Sequence, residues 1–282
     1  MRAIGLVLTA LGAFAFAAPL VDVYREAKSA LEGGDAAKAV ALLEPVMEDG
    51  GAAVQLALGV AYLRTERAGE ALPLLEKAAA AFADTPQAAN ALAPLGDALR
   101  LAGRSAEARA AFAQAAKIAP ELVNGRYSAA RLLELDGAEH ERQKHPADAA
   151  RCTLAAADAL LALSAEDAAY FAEARTLFTK VAQGHEWRGE ATARAVFSLG
   201  EVERAQKHWA EAIAYYQRTF VSWVRYPHWC ALAYLRAADC FEQLGKRDFA
   251  IRHLRELVRK ADKYGALPEY QQAKQQLRAW GE

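Results

Sequence analysis

The residues best suited to chemistry stand in one charged stretch, DGAEHERQKHP at residues 136–146. His140 and His145 share this stretch with Glu139 and Glu141. Imidazole and carboxylate groups could together bind a metal ion or serve as acid and base in hydrolysis. The interval between the two histidines matches neither H-x-x-x-H nor H-E-x-x-H, the spacings that place metal ligands on a helix. The pattern therefore favours a solvated loop, and we expect neither a metal nor a cofactor.

The three cysteines, Cys152, Cys230 and Cys240, are too few for a disulfide framework. Cys230 and Cys240 are predicted to lie on one helix, about 15 Å apart along its axis, which is beyond the reach of a disulfide. Small buried apolar residues are the favoured interpretation. No G-x-S-x-G, P-loop or G-x-G-x-x-G motif occurs. The sequence thus predicts no catalytic residue and a protein that is not an enzyme.

Composition favours helices that pack into a folded core. Of the 282 residues, 54% are hydrophobic and 24% are charged, which excludes a disordered chain. Lys and Arg number 34 against 35 Asp and Glu, so no strong field attracts nucleic acid, and we expect no nucleic-acid partner. Alanine runs such as Ala78–Ala81 favour helix over strand. An all-α fold is expected.

Residues 1–17 have the layout of a secretory signal peptide. Arg2 provides a positive start, an uncharged apolar stretch follows, and Ala15-Phe16-Ala17 places small residues where a signal peptidase cleaves. The alternative is a first helix buried in the fold. A membrane span needs roughly 20 apolar residues, and Asp22 comes too soon. We expect export to the periplasm or the medium, with no integral membrane segment after residues 1–17 are removed.

A self-similar pattern runs through the remaining sequence. A Leu-Gly pair is followed by an Ala twelve residues after its Gly, then by a bulky apolar residue four positions later. Three copies are Gly59–Ala71–Leu75, Gly96–Ala108–Phe112 and Gly200–Ala212–Tyr216. A fourth copy has Ala238 in place of the Gly, followed by Ala250 and Leu254. Small residues let two helices approach to about 8–10 Å where they cross, so each copy predicts a helix pair.

This pattern resembles the tetratricopeptide repeat, a helix-turn-helix unit of about 34 residues. The clearest copy is Ala89–Pro120, in which Leu95, Gly96, Ala108 and Phe112 fall on the marked positions of the family. The resemblance implies an all-α, right-handed α-solenoid of about six to seven helix pairs, or thirteen to fourteen helices. A capping helix at Gly265–Trp280 would close it.

The predicted solenoid occupies residues 18–282 in three parts. Residues 18–135 hold N-terminal repeats, beginning with an opening pair at Tyr24–Met47. Residues 136–146 form a charged insert that interrupts the helix Val123–Leu135. Residues 147–282 hold the aromatic-rich C-terminal repeats. Helices are expected at Ala147–Leu163 and at Ser164–Gln183, the second opened by a capping-box variant at Ser164 and Asp167, and their pairing between 121 and 183 stays open.

Aromatic residues concentrate in the C-terminal half, which holds all five Trp. Trp223, Tyr226 and Trp229 surround a turn at Pro227, and Trp and Tyr dominate binding hot spots. The favoured interpretation is that these rings fill the core between repeats. A secondary binding patch formed by the same three residues is the alternative.

The family resemblance implies a ligand surface on the concave side, lined by the first helix of each pair. Carried over by position, the predicted protein-binding residues are Asn90, Asp97, Arg100, Asn124, Tyr127, Arg131, Glu134, Arg194, Phe197, Glu201 and Arg204. We expect a non-enzymatic scaffold that holds a protein or an extended peptide there, in the bacterial cell envelope. One alternative is a structural subunit assembled permanently through the aromatic and basic C-terminal half. The other is a hydrolase of an envelope polymer that uses the insert.

Overall fold

The computed structural model describes residues 18–184 and 189–282, and the predicted signal peptide at 1–17 lies outside them. Within these ranges there are fifteen α-helices, one 3-10 helix and no strand. The α-helices are α1 (Ala18–Glu32), α2 (Ala36–Leu43), α3 (Gly51–Arg64), α4 (Ala68–Ala81), α5 (Ala88–Leu101), α6 (Ser105–Ile118), α7 (Val123–Arg142), α8 (Pro146–Leu163), α9 (Ala169–Gln183), α10 (Glu190–Ala205), α11 (Trp209–Ser222), α12 (Pro227–Gln243), α13 (Arg247–Arg259), α14 (Ala261–Tyr264) and α15 (Pro268–Ala279). The all-α expectation is confirmed, with the one-turn helix α14 beyond the predicted number.

The same tight turn joins six pairs of consecutive helices in the described residues. The pairs are α1–α2, α3–α4, α5–α6, α7–α8, α10–α11 and α12–α13. One residue of each turn has a left-handed backbone, with φ from 60° to 82°: Gly34, Glu66, Gly103, Lys144, Lys207 and Gly245. The amide of the next residue donates to the carbonyl five residues earlier, at 2.8–2.9 Å. This bond closes a helix end of the Schellman type, so the pairs share one turn geometry although their sequences differ.

The helices of a pair approach most closely at the repeated Gly. A Cβ atom on Gly96 would lie 2.5 Å from the Phe112 ring, well inside van der Waals contact. Gly59 and Leu75 (2.7 Å) and Gly200 and Tyr216 (2.6 Å) repeat this arrangement. The facing residues Ala71, Ala108 and Ala212 are fully buried. The structure thereby confirms why the pattern requires a small residue at one helix and a bulky one beside it.

The chain forms two compact units. The first comprises residues up to 139 together with 158–173, and the second comprises 140–157 and 174–282. In the first unit consecutive helices from α1 to α6 pack on one another, and in the second α10 to α13 do the same. The core of the second unit is aromatic, with Phe197, Tyr216, Tyr234 and Phe241 among its buried side chains. Each unit is therefore held by contacts between neighbouring helices, as expected for repeats.

The structure differs from the sequence prediction around residues 136–183. The helix expected to end at Leu135 continues through Gly137 to Arg142, because one helical Gly costs only about 1 kcal/mol relative to Ala. The helix expected to open at Ser164 begins instead at Ala169. The Ser164 hydroxyl donates to the carbonyl of Leu161 at the end of α8, so the predicted capping box is wrong. The shared turn joins α7 to α8, a connection that the sequence left open.

The chain closes with α15, which corresponds to the capping helix predicted at Gly265–Trp280. Pro268 stands at its first turn, where its fixed φ suits a helix start. Ala273 and Leu277 are buried, and α15 packs against α13 and α12. No described helix is long and apolar enough to span a bilayer.

Candidate functional site

The predicted protein-binding residues lie in two groups, one in each unit. The first group is on α5 and α7 and contains Asn90, Asp97, Arg100, Asn124, Tyr127, Arg131 and Glu134. The second group is on α10 and contains Arg194, Phe197, Glu201 and Arg204. Helices α5, α7 and α10 are each the first helix of a pair, so both groups belong to what we call the first-helix face of their unit.

In the first unit these residues form a hydrogen-bonded network. The Tyr127 hydroxyl donates to Oδ2 of Asp97 at 2.7 Å, and Nε of Arg131 donates to that hydroxyl at 2.8 Å. The guanidinium of Arg131 also donates through Nη1 to Glu134 at 2.6 Å and through Nη2 to Glu173 on α9. Asp97, Tyr127 and Arg131 are buried. Oδ2 of Asp97, the Tyr127 hydroxyl and the Arg131 guanidinium are thus hydrogen-bonded within the unit, and Oδ1 of Asp97 lies 3.6 Å from Nε of Arg131.

Burial sets the electrostatics of this network. It raises the pKa of Asp97 although Arg131 and Arg100 oppose the change. It also raises the pKa of Glu173 to about 7, against the opposing charge of Arg131. Burial alone would lower the pKa of Arg131, but Tyr127, Asp97 and Glu173 hold it above its usual range. One guanidinium therefore remains charged among three carboxyl groups, and it binds α5, α7 and α9 to each other.

The remaining predicted residues of the first group differ in access to solvent. Nδ2 of Asn124 donates to Oδ1 of Asn90 at 2.6 Å, and Asn124 is buried. The side chains of Arg100 and Glu134 retain 32% and 30% exposure, which leaves them open to a ligand. Sequence reasoning missed Glu173, which binds Arg131. Glu173 stands three residues after Tyr170 on α9, and the Tyr170 ring lies 5.7 Å from that of Tyr127.

In the second unit the predicted group is divided between core and surface. Phe197 is buried, with its ring 5.5 Å from Tyr216 and 5.6 Å from Trp229. Arg194 lies over the ring of Trp229 at 5.9 Å. Glu201 accepts hydrogen bonds from Arg204, at 2.8 and 3.1 Å, and from the Tyr216 hydroxyl. The charged head groups of α10 therefore stand above an aromatic layer.

A cavity of about 240 Å³ opens beside these charged groups. Its lining residues are Arg204, Trp209, Asp239, Cys240, Glu242 and Gln243. Burial raises the pKa of Asp239 in spite of the nearby Arg236, whose Nη1 lies 3.6 Å from Oδ2 of Asp239. The cavity offers an arginine, two acids and an indole, a combination suited to a polar peptide.

The secondary patch is only partly a surface. Trp223, Tyr226 and Trp229 are each half-buried. Trp229 packs on Phe197 and donates from Nε1 to Glu190 at 3.1 Å. Trp229 therefore contributes to the core of the second unit, and all three rings leave part of their area exposed.

The cysteines and histidines occupy distinct places. Cys152, Cys230 and Cys240 are free thiols, and burial raises the pKa of Cys240 to about 11, which suits an unreactive group. His140 and His145 come together with Asp148, and their possible ligand atoms all lie within 4.8 Å of one another. Sequence reasoning missed Asp148, which lies in the first turn of α8.

Family models of the tetratricopeptide repeat match residues 51–121, 159–220 and 232–263, more than half of the chain. The chain belongs to the tetratricopeptide repeat family. Proteins of this family bind protein partners and are typically scaffolds without enzymatic activity. This tetratricopeptide repeat protein has no match among curated proteins.

Several solved structures are similar to this tetratricopeptide repeat protein. MamA (AMB-1) is 17% identical over 88% of this chain and 94% of its own, with a TM-score of 0.34. The pilF protein of Pseudomonas aeruginosa is 17% identical over 91% of this chain and 97% of its own, with a TM-score of 0.36. A tetratricopeptide repeat protein from Parabacteroides merdae is 14% identical over 84% and 78%, with a TM-score of 0.35. At these values the resemblances carry no argument about a partner.

Proposed function

We propose that this protein is a non-enzymatic adaptor that binds an extended segment of another protein on the first-helix face of its second unit. The observation that carries the proposal is the cavity lined by α10, α12 and the first residue of α11, where Arg204, Asp239 and the Trp209 indole meet solvent. Extended peptides present backbone carbonyl and amide groups, which Arg and carboxylate side chains can bind directly. A nearby indole gives such a site an apolar anchor.

The predicted residues of the first unit take two roles in this proposal. Asp97, Tyr127 and Arg131 hold helices together because they are buried and hydrogen-bond to one another inside the unit. Arg100 and Glu134 extend the peptide-binding surface of their own unit, since both side chains remain partly exposed. The predicted protein-binding set is thus reduced to its accessible members, and Arg236 and Asp239 are added to it.

The test compares two double variants, each of which removes two positive charges. The full mature chain and the variant Arg204→Ala/Arg236→Ala are used to capture partners from an envelope extract. The matched control, Arg252→Ala/Arg259→Ala, removes two exposed arginines from α13, a second helix. We expect a defined partner that the wild type and the control retain and the α10–α12 variant loses. Equal retention by all three proteins would contradict the proposed site.

We further infer that the adaptor works in the bacterial cell envelope, in the periplasm or outside the cell. Support comes from the sequence of residues 1–17, whose charge, apolar stretch and Ala15-Phe16-Ala17 end suit export. Cell fractionation with N-terminal sequencing tests this location. An exported chain beginning at Ala18 is expected, whereas a cytoplasmic chain that keeps residue 2 would contradict it.

A permanently assembled subunit is the second candidate function. It is favoured by Val221 and Val224, which are 68% and 51% exposed beside the half-buried Trp223. An obligate interface is large and apolar, so such a protein should self-associate when purified alone. Light scattering after size-exclusion chromatography distinguishes the two: a stable monomer favours the adaptor, and concentration-dependent oligomers favour the subunit.

A further inference from the structure

The shared turn brings three side chains to one corner of every helix pair. The first is the residue just before the second helix. The other two are the residue five positions before that one and the residue three positions after it. In α3–α4 the corner holds an ion pair, because Arg67 donates through Nε to Glu70 at 2.7 Å. In α5–α6, Arg104 and Glu107 make the same bond at 2.7 Å. These corners are closed by an Arg-carboxylate fork.

The corner of α7–α8 carries different chemistry at the same three positions. His145 replaces the Arg, Asp148 replaces the Glu, and His140 stands five residues before His145. The amide of His145 donates to the carbonyl of His140 at 2.8 Å, and the two imidazole centroids are 6.1 Å apart. The possible ligand atoms of these three side chains all lie within 4.8 Å of one another. All three residues belong to the second unit.

The three side chains at this corner make few interactions with the rest of the protein. Among the described residues, Nδ1 of His140 is buried and has no hydrogen-bond partner, which is costly for an imidazole nitrogen. The carboxylate of Asp148 pairs with Arg151 at 2.8 Å, but the Arg151 side chain is 73% exposed, and such surface pairs contribute little stability. His145 is exposed. A metal ion, which accepts electron pairs from nitrogen and oxygen atoms, would satisfy all three side chains.

The corner of α10–α11 shows how the chain closes a similar set without a ligand. Glu203, His208 and Glu211 occupy the equivalent positions. Nδ1 of His208 lies 3.0 Å from Glu203, and Arg175 forms an ion pair with the same carboxylate. Burial alone would raise the pKa of Glu203, but the hydrogen bonds from Arg175 and His208 hold it below its usual range. This corner is satisfied internally and provides a control.

We propose that His140, His145 and Asp148 bind one divalent transition-metal ion, with Zn²⁺ as the expected ion. Imidazole and carboxylate ligands suit zinc, and metal–ligand distances of about 2.0–2.2 Å place tetrahedral ligands about 3.4 Å apart. Side-chain rotations of the exposed His145 and the half-buried Asp148 close the present separation. Three protein ligands leave one position for water or for a side chain of a partner.

The bound ion links the last turn of α7 to the first turn of α8. It takes the place of the ion pairs Arg67–Glu70 and Arg104–Glu107, which close the equivalent corners of other pairs. This site was not expected from the spacing of the two histidines. The turn between α7 and α8 brings His140 and His145 together and places Asp148 beside them. A spacing rule for residues on one helix does not describe this turn.

The experiment titrates the metal-free mature chain with Zn²⁺ by calorimetry and with Co²⁺ by visible absorption. The variants are His140→Ala, His145→Ala and Asp148→Asn, and the matched control is His208→Ala at the equivalent corner. We expect one Zn²⁺ per chain and a tetrahedral Co²⁺ spectrum. Each corner variant should weaken binding at least about tenfold, and the control should leave it unchanged.

Three results would overturn the proposal. They are the absence of saturable Zn²⁺ binding, equal affinity in the wild type and the three corner variants, and a thiolate charge-transfer band that assigns the ion to cysteine. His145→Ala and Asp148→Asn change side chains with solvent access, so they keep the test valid if His140→Ala fails to fold. Circular dichroism of each variant establishes folding before titration.

Discussion

Two first helices carry the same acid and arginine pair in different environments. In α5 of the first unit, Asp97 and Arg100 follow Gly96, and in α10 of the second unit, Glu201 and Arg204 follow Gly200 at the same spacing. The side chain of Asp97 is 1% exposed and that of Glu201 is 19% exposed. The next first helix covers Asp97 with Tyr127 and Arg131. Glu201 receives the hydroxyl of Tyr216 from its paired helix α11 and the half-exposed Arg236 from α12.

The comparison shows that a repeat position does not by itself decide whether a residue binds a partner. In the first unit one helix, α7, supplies both an aromatic hydroxyl and a buried guanidinium, and the position becomes part of the core. In the second unit the hydroxyl comes from Tyr216 on the paired helix α11 and α12 supplies the half-exposed Arg236, so Glu201 remains partly accessible.

Loss of Arg131 should destabilise the protein far more than loss of Arg236. Arg131→Met leaves Asp97, Glu134 and Glu173 without their shared cation, and breaking a buried ion pair costs about 3–5 kcal/mol. Arg236→Met removes an arginine that is 37% exposed, for which we expect less than about 1 kcal/mol. Urea unfolding of both variants measures the difference, and equal losses would show that the first-unit network is not structural.

The pH dependence of stability should have opposite signs at Glu173 and Glu203. Burial raises the pKa of Glu173 to about 7 from 4.5. Its contribution to the stability of the folded protein is therefore fully present below pH 4.5 and is lost as the pH rises through about 7. The free energy of unfolding changes by on the order of 3 kcal/mol over this range. Glu173→Gln should accordingly stabilise the protein at pH 8.

Glu203 in the second unit is the matched comparison, because its pKa is lowered in the folded protein. Its contribution to the stability of the folded protein is present at neutral pH and is lost as the pH falls through the pKa of the folded state. Glu203→Gln should therefore destabilise the protein at pH 8. Unfolding curves at pH 5 and pH 8 for both variants check these signs, and the same sign for both would refute the electrostatic difference.

The helix crossings should respond alike in both units. In Gly96→Ala and Gly200→Ala, the new Cβ would meet Phe112 at 2.5 Å and Tyr216 at 2.6 Å, so each should cost about 1–3 kcal/mol through overpacking. Gly69 on α4 has nothing within 4 Å of an added Cβ, and Gly69→Ala should gain up to about 1 kcal/mol. Thermal unfolding ranks the three variants, and a neutral Gly96→Ala would contradict the close crossing.

The smallest expected effect concerns the shared turn. Glu66 in the first unit and Lys207 in the second both have φ of 63°, a conformation that costs non-glycine residues roughly 1 kcal/mol. Glu66→Gly and Lys207→Gly should each stabilise the protein by about 0.5–1 kcal/mol, since glycine adopts this backbone freely. A loss of stability in either variant would indicate that its side chain contributes to the turn.

The sequence was sufficient to predict the helix crossings, because Gly96, Ala108 and Phe112 recur at fixed spacing. It was insufficient for the first-unit network, because the burial of Asp97 depends on Arg131 and on Glu173, and the pairing of α9 was open. Ser164 misled the prediction because its hydroxyl can serve the end of one helix as readily as the start of the next. The cavity at Asp239 likewise depends on how α10, α11 and α12 are placed relative to one another, which no residue spacing specifies.

The most direct test of the proposed second-unit binding face is site-specific photo-crosslinking in living cells. A benzophenone amino acid is placed at Asp239 in the cavity and, in a second chain, at Arg255 on α13, which is exposed. Binding on the first-helix face predicts a discrete crosslinked partner from position 239 and none from position 255. A crosslink from position 255 alone, or no crosslink from position 239, would contradict it.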